Sequence, residues 1–236
     1  MRGKFVPLAA LLGALSIPAG AQTITGTVTF DGKAPTLKPI AMDADPVCAR
    51  KHDTPVANEM LVLGANNMMA NVMISVSKGL AAGKAYPAPK DPVVMDQKGC
   101  KYNPHVMGVM VGQPFKVLNS DGVLHNVHAL PKVNKSFNMG MPPDRLEAIE
   151  TFTKEEGTFA IKCDVHPWMQ AWVRVFSHPY HAVTRDDGKF SLSGLEPGTY
   201  EIEAWHEKLG TQTQTVTVGA KESKAIAFKF AAPAPK

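Results

Sequence analysis

Two stretches of alternating side chains flank a short loop in the second half of the chain, and this pattern constrains the fold more than any other. Apolar or sulfur-bearing residues occupy every second position from Phe159 to Cys163, and apolar residues do so again from Ala171 to Val175. A period of two is typical of β-strands with one buried face. The pattern therefore predicts two strands joined by a tight loop, with the sulfur of Cys163 on the buried face.

The loop carries side chains that bind soft metal ions. Cys163, His166 and Met169 stand three residues apart, so a tight loop can turn all three toward one ion, and His125 lies on the inward face of an upstream predicted strand. One thiolate, two imidazoles and one thioether are the ligands of a blue-copper electron-transfer site. The sequence thus predicts one type 1 copper ion. Its predicted ligands are His125, Cys163, His166 and Met169.

Other copper centres need residues that are missing near Cys163. A binuclear electron-transfer centre requires a second nearby cysteine, whereas Cys48 and Cys100 are far away in the sequence. Multicopper oxidases require paired His-x-His segments and a cysteine flanked by histidines, whereas Lys162 and Asp164 flank this one. The ligand set therefore predicts an electron carrier and not an enzyme.

Residues 92–177 resemble the amicyanin- and plastocyanin-like members of the cupredoxin family. The likeness is carried by Pro92–Asp96, Lys101–Tyr102, Val109–Gly112, Asn119, His125–His128 and the C-x-x-H-x-x-M loop with its Pro167. It implies a Greek-key β-sandwich in which Asn126 tethers the ligand loop by hydrogen bonds. It also implies that His166, on an exposed loop, passes the electron to the partner. Asp164 departs from the family pattern, which has a small hydroxyl residue after the ligand cysteine, and this bears on the tether and the redox tuning.

The remaining residues predict a second, smaller all-β unit. Short alternating runs separated by glycine and proline turns extend from Ala182 to Phe230, and no helical period competes. The pattern Thr184–Tyr200 resembles the transthyretin-like, carboxypeptidase-regulatory type of β-sandwich, whose opening strand matches Gly26–Gly32. The resemblance implies a discontinuous sandwich of residues 22–91 and 178–231, with the copper domain inserted at 92–177. A simpler alternative is a copper domain with long N-terminal strands, followed by an independent C-terminal sandwich.

The first 21 residues predict export. Arg2 and Lys4 precede an apolar stretch of about a dozen residues, and Ala19–Ala21 matches a cleavage site, as in a secretory signal peptide. That stretch is too short for a membrane span, and no later segment reaches the required length. We therefore expect a periplasmic or secreted protein without a transmembrane segment. The Ala- and Pro-rich residues 232–236 predict a flexible tail.

Three cysteines remain to be divided between a metal and a disulfide. With Cys163 kept as a thiolate for copper, Cys48 and Cys100 are left, and a disulfide between them ties the N-terminal segment to the copper domain. Alternatively, Cys48 with His52 and Cys100 with His105 provide a second, zinc-like site. The oxidising compartment favours the disulfide.

The charge balance gives no reason to expect a nucleic-acid partner. The chain has 25 basic and 21 acidic residues, without a basic run. The predicted partner is a redox protein such as a c-type cytochrome, a dehydrogenase or an oxidase. Two alternatives lack an electron-transfer role: a copper carrier, and a cell-surface binding module.

Overall fold

The structure is a computed structural model that describes residues 22–232, and the regular secondary structure of these residues is almost entirely β-strand. The predicted signal peptide, residues 1–21, and most of the predicted tail, 232–236, lie outside the described residues. In chain order the strands are β1 (Gln22–Asp31), β2 (Met73–Lys78), β3 (Val93–Gln97), β4 (Tyr102–Asn103), β5 (Val106–Met110), β6 (Pro114–Asn119), β7 (His125–Ala129), β8 (Phe137–Met141), β9 (Glu147–Thr151), β10 (Glu156–Lys162), β11 (Gln170–Phe176), β12 (His181–Val183), β13 (Lys189–Leu195), β14 (Gly198–His206), β15 (Gly210–Val218) and β16 (Ser223–Ala231). The predicted fold class, all-β with two β-sandwiches, is confirmed.

The first sandwich contains the strands between Val93 and Phe176. One sheet has the order β5-β11-β10-β7-β8 and the other β4-β3-β6-β9. Pairing is antiparallel except between β5 and β11 and between β3 and β6. Inward-facing side chains of both sheets form one apolar core, which includes Phe115, Ile161 and Cys163. The alternation around residue 160 therefore does bury the cysteine sulfur among apolar neighbours.

The second sandwich combines strands from both ends of the described chain. Strand β1 lies between β13 and β16, and β2 lies between β12 and β14. Gly26 in β1 is required by this packing, because a Cβ atom there would stand 2.3 Å from the carbonyl oxygen of Ile226 and 2.4 Å from the ring of Phe190. A separate apolar core fills the space between these two sheets.

Residues 40–56, here called the covering segment, lie on the first sandwich. The predicted range 22–91 had placed this segment in the second one. A backbone hydrogen bond of 2.8 Å from Ile40 N–H to the Val56 carbonyl joins its two ends. It contains the short helix α1 (Pro46–Ala49). Met42 and Cys48 are buried in the first core, and Cys48 forms a disulfide with Cys100. The covering segment is therefore fixed by both packing and a covalent bond.

The two sandwiches meet along a small apolar junction. Met73, Val106 and Phe176 are buried there, and the rings of Trp172 and Trp205 stand 5.4 Å apart. No helix in the described part of the chain has the length and apolarity that crossing a membrane requires.

Candidate metal centre

The ligand loop is closed by its own backbone. Strand β10 ends at Lys162 and β11 begins at Gln170, so the loop comprises residues 163–169. Cys163 N–H donates to the Met169 carbonyl at 3.2 Å, and Met169 N–H donates to the His166 carbonyl at 2.9 Å. The His166 N–H lies 3.4 Å from the sulfur of Cys163. These bonds fold the loop back on itself, as the three-residue spacing predicted.

Three of the four predicted ligands meet at one point in the first core. Nδ1 of His125 lies 2.9 Å from Nδ1 of His166, and Sγ of Cys163 lies 3.8 Å from the same His166 nitrogen. The ligand atoms of these three residues are all within 4.8 Å of one another. Their exposed fractions are 0%, 2% and 3% for His125, His166 and Cys163. Two imidazole nitrogens and a thiol sulfur thus converge in a site closed to solvent.

The outer nitrogen of each imidazole meets a carboxylate. His125 Nε2 lies 2.9 Å from Asp121 Oδ2, and His166 Nε2 lies 3.0 Å from Asp45 Oδ2. An ionised carboxylate only accepts hydrogen bonds, so each Nε2 carries the hydrogen and each neutral ring keeps its lone pair on Nδ1. Two lone pairs facing each other across 2.9 Å repel unless a proton or a metal ion lies between them. The donor set therefore fits a copper ion held by both Nδ1 atoms and the sulfur.

The site favours a thiolate at Cys163. Burial raises the pKa of this thiol, but the neighbouring His125 imidazole and backbone N–H groups, among them that of His166, outweigh burial and lower the pKa to about 7. A thiolate is the form that binds metal ions. Deprotonation of Cys163 for metal binding therefore costs little free energy.

Hydrogen bonds also keep the two aspartates ionised. Burial raises the pKa of Asp121, but His125 and the N–H groups of Cys100 and Gly99 together hold the pKa below its usual range. Asp45 has its pKa lowered first by its bond to His166 and then by backbone N–H groups. Each imidazole therefore has an ionised acceptor behind it, the usual arrangement behind metal-binding histidines.

Asn126 ties the ligand loop to strand β7. Its Oδ1 accepts hydrogen bonds from Asp164 N–H at 2.6 Å and Val165 N–H at 3.3 Å. Its Nδ2 donates to Asn138 Oδ1 and to Asp164 Oδ2. The tether implied by the family resemblance is present, and the unusual Asp164 takes part in it. The same carboxylate also meets Nδ1 of His128, whose side chain lies on the outward face of β7.

His166 is buried, and the expectation that it is exposed on its loop is wrong. The covering segment lies over the ring: Asp45 contacts Nε2, and the disulfide sulfur of Cys48 is 3.6 Å from the same atom. The Trp168 ring closes another side, with its centroid 5.0 Å from that of His166. Its indole N–H donates to the Cys100 carbonyl at 3.1 Å. Water is thereby excluded from the imidazole.

Met169 lies in the same core cluster as Cys163 and is buried. Its backbone N–H and carbonyl both take part in the hydrogen bonds that close the ligand loop. The assignment of its sulfur as the axial ligand stays a prediction.

The predicted disulfide is confirmed. The zinc-like alternative is wrong, because the sulfurs of Cys48 and Cys100 are bonded to each other. His52, one of its other proposed ligands, instead meets the Gly99 carbonyl at 2.8 Å through Nε2.

Sequence reasoning missed both aspartates. Asp121 precedes His125 by four residues, so a search for acidic neighbours of the ligand would have found it. Asp45 is separated from His166 by 121 residues, and no local pattern marks it. Only the folded path of the covering segment brings it to the site.

One family model and several solved structures match parts of the chain. The carboxypeptidase regulatory-like domain model matches residues 164–231. This range contains β12 to β16 of the second sandwich, and it also takes in β11 of the first. A comparison with curated protein sequences finds no match.

Copper-containing proteins and cupredoxins are among the matching solved structures. A copper-containing nitrite reductase from Thermus scotoductus SA-01 shares 23% identity at a TM-score of 0.34, over 44% of this chain and 26% of its own. A Cu(I) amicyanin variant shares 24% sequence identity at a TM-score of 0.33, and the match covers 44% of this chain and 98% of the amicyanin. A purple cupredoxin from Nitrosopumilus maritimus shares 22% sequence identity at a TM-score of 0.30, and the match covers 35% of this chain and 98% of the cupredoxin. The chain thus spans about a quarter of the reductase.

Proposed function

We propose that this protein is an exported type 1 copper protein that carries single electrons between redox partners. The observation that supports this most is the pair of Nδ1 atoms of His125 and His166, which face each other at 2.9 Å beside the sulfur of Cys163. Each ring is held by a carboxylate on its other nitrogen, so neither can turn its Nδ1 away without losing that bond. This is a donor set arranged for a single ion.

The residues around the site suit electron transfer. A bound copper ion would supply one-electron chemistry by changing between two oxidation states. The Asn126 tether and the closed ligand loop hold the donor atoms in place whatever the charge at the site. The buried environment excludes water from the donor atoms. Such a rigid, dry site changes little in geometry when one electron arrives or leaves.

Export and a protein partner complete the proposal. The N-terminal sequence has the organisation of a signal peptide, and the Cys48–Cys100 disulfide suits an oxidising compartment. We expect a periplasmic or secreted location. A c-type cytochrome, a dehydrogenase or an oxidase would then exchange electrons with the protein, and no enzymatic activity of its own is proposed.

Copper loading followed by voltammetry tests this function. The mature chain from Gln22, given one equivalent of Cu(II), is expected to become intensely blue and to be reduced and reoxidised reversibly. A Cys163→Ser variant should lose the colour, because the thiolate supplies the charge-transfer band, whereas His128→Gln, on the outward face of β7, should keep it. Tight copper binding without colour or reversible reduction would favour the copper-carrier alternative. Absence of copper binding would favour the binding-module alternative.

A further inference from the structure

The carboxylate of Asp45 serves two partners at once. Its Oδ1 accepts hydrogen bonds from Val47 N–H at 2.8 Å and from Cys48 N–H at 3.3 Å, and so caps helix α1. Its Oδ2 meets Nε2 of His166 at 3.0 Å. The position of this side chain is therefore fixed by the helix, and the orientation of the imidazole follows from it.

The disulfide joins the supports of both imidazoles. Cys48 N–H bonds to Asp45, behind His166, and Cys100 N–H bonds to Asp121 at 2.7 Å, behind His125. Gly99 N–H donates to the other oxygen of Asp121, also at 2.7 Å. One covalent bond thus connects two turns of the chain, each of which carries the acceptor for one ring. Such a link limits how far the two rings can move apart.

We propose that Asp45 is a positioning residue for His166 and that the Cys48–Cys100 disulfide fixes it there, so that the covering segment forms the outer wall of the metal centre. This inference rests on the proposed copper site. The segment approaches from outside the first sandwich and replaces solvent next to Nε2 with an ionised acceptor. Outer acceptors of this kind orient a histidine ligand and raise its basicity.

Two measurable consequences follow. An ionised acceptor on the ring strengthens binding of the more highly charged oxidised ion, so removing Asp45 should raise the reduction potential and weaken copper binding about 10- to 100-fold. The wall should also shield the thiol of Cys163, which is the free cysteine of the described chain. Opening the wall should expose that thiol even when no metal is present.

A matched pair of substitutions separates positioning from helix capping. Serine caps helices as well as aspartate does, but its shorter side chain does not reach His166. Asp45→Ser therefore keeps the cap and removes the acceptor from the imidazole. Asp43→Ser, at an exposed aspartate of the same segment, makes the same chemical change away from the ring. A Cys48→Ala/Cys100→Ala double variant removes the covalent link.

The first measurement uses the metal-free full-length mature protein and follows alkylation of Cys163 by N-ethylmaleimide. Wild type and Asp43→Ser should react slowly and alike. Asp45→Ser should react about tenfold faster, the scale expected from losing one charge-assisted hydrogen bond, and the double cysteine variant should react faster still. Equal rates for Asp45→Ser and Asp43→Ser would overturn the proposal.

The second measurement is copper affinity by chelator competition, with the reduction potential recorded on the same samples. Asp45→Ser should bind copper about 10- to 100-fold more weakly than Asp43→Ser and at a higher potential; identical values would overturn the positioning role. Failure of wild type itself to bind copper would refute the proposed function. The alkylation rates would then still decide whether the segment closes the site.

Discussion

The imidazoles of His125 and His166 come from positions 41 residues apart, yet their Nδ1 atoms face each other at 2.9 Å. His125 stands at the start of β7, and His166 lies in the loop after β10, a strand that pairs with β7. Sheet pairing alone would allow many orientations of the two rings. The acceptors behind them, Asp121 and Asp45, select the one in which both lone pairs point to a common place. The chemistry of the site therefore depends on groups outside the ligand set.

Removing the tether should destabilise the metal-free protein. Asn126→Ala deletes the acceptor of Asp164 N–H and Val165 N–H and leaves both without this partner. We expect unfolding free energy to fall by about 2–4 kcal/mol, the range for losing several partly buried hydrogen bonds. Asn138→Ala, at an exposed position, removes one partner of Asn126 and one partner of the Asp164 carboxylate but keeps both backbone hydrogen bonds to Asn126 Oδ1, and should cost less. Urea denaturation of both variants measures this, and equal losses would contradict the tether.

Protonation of Glu156 in acid should destabilise the loop that precedes β8. Its carboxylate accepts hydrogen bonds from the N–H groups of Lys132, Val133 and Asn134. Burial raises the pKa of Glu156, but these bonds and the Asn134 side chain together bring the pKa below the usual 4.5. A lowered folded-state pKa means that this stabilisation is present above pH 4.5 and is lost as the pH falls further.

Comparing the stability of Glu156→Gln with that of wild type tests this pH dependence. The variant should be less stable at neutral pH, and the difference should shrink as the pH falls below about 4.5. Glu155→Gln, at an exposed neighbour with one hydrogen bond to Ser177, serves as the control and should show a small difference. Thermal unfolding over this pH range gives both curves. A difference for Glu156→Gln that stays constant into acid would contradict the assignment.

Close packing at Gly26 predicts a clash that the second sandwich cannot relieve. An alanine Cβ there would stand 2.3 Å from the carbonyl oxygen of Ile226, a backbone atom held in a strand pair. Gly26→Ala should lower the unfolding free energy by about 1–3 kcal/mol, the usual range for overpacking. Gly157→Ala, where a Cβ meets nothing within 4 Å, should be near neutral. Similar melting temperatures for Gly26→Ala and Gly157→Ala would show that β1 does not pack closely against Ile226 and Phe190.

The axial position should control the reduction potential. Met169→Gln replaces a soft thioether with a harder oxygen donor, so the variant should keep copper but become harder to reduce. Met169→Leu conserves volume and removes the sulfur, so its potential should move the opposite way. Voltammetry of the three proteins decides this. A potential unchanged in both variants would mean that the Met169 sulfur does not face the metal.

The strands and the meeting of Cys163 with His166 could be predicted from the sequence because the signals are local. Alternation before Cys163 indicated a buried sulfur, and the spacing to His166 indicated a loop that returns to it. Exposure of His166 was predicted wrongly, since a loop between strands is exposed unless another segment covers it. The covering contact comes from Asp45, 121 residues away. It depends on a disulfide and on packing of an irregular segment, and neither leaves a periodic pattern.

X-ray absorption at the copper edge tests the central claim most directly, since it reports the atoms bound to the metal. The copper-loaded mature protein should show two imidazole nitrogens and one short copper–sulfur bond, and Cys163→Ser should lose the sulfur while it retains the imidazoles. His128→Gln should leave the spectrum unchanged. A wild-type spectrum with only nitrogen and oxygen donors, or a short sulfur bond that persists in Cys163→Ser, would contradict the site formed by His125, Cys163 and His166.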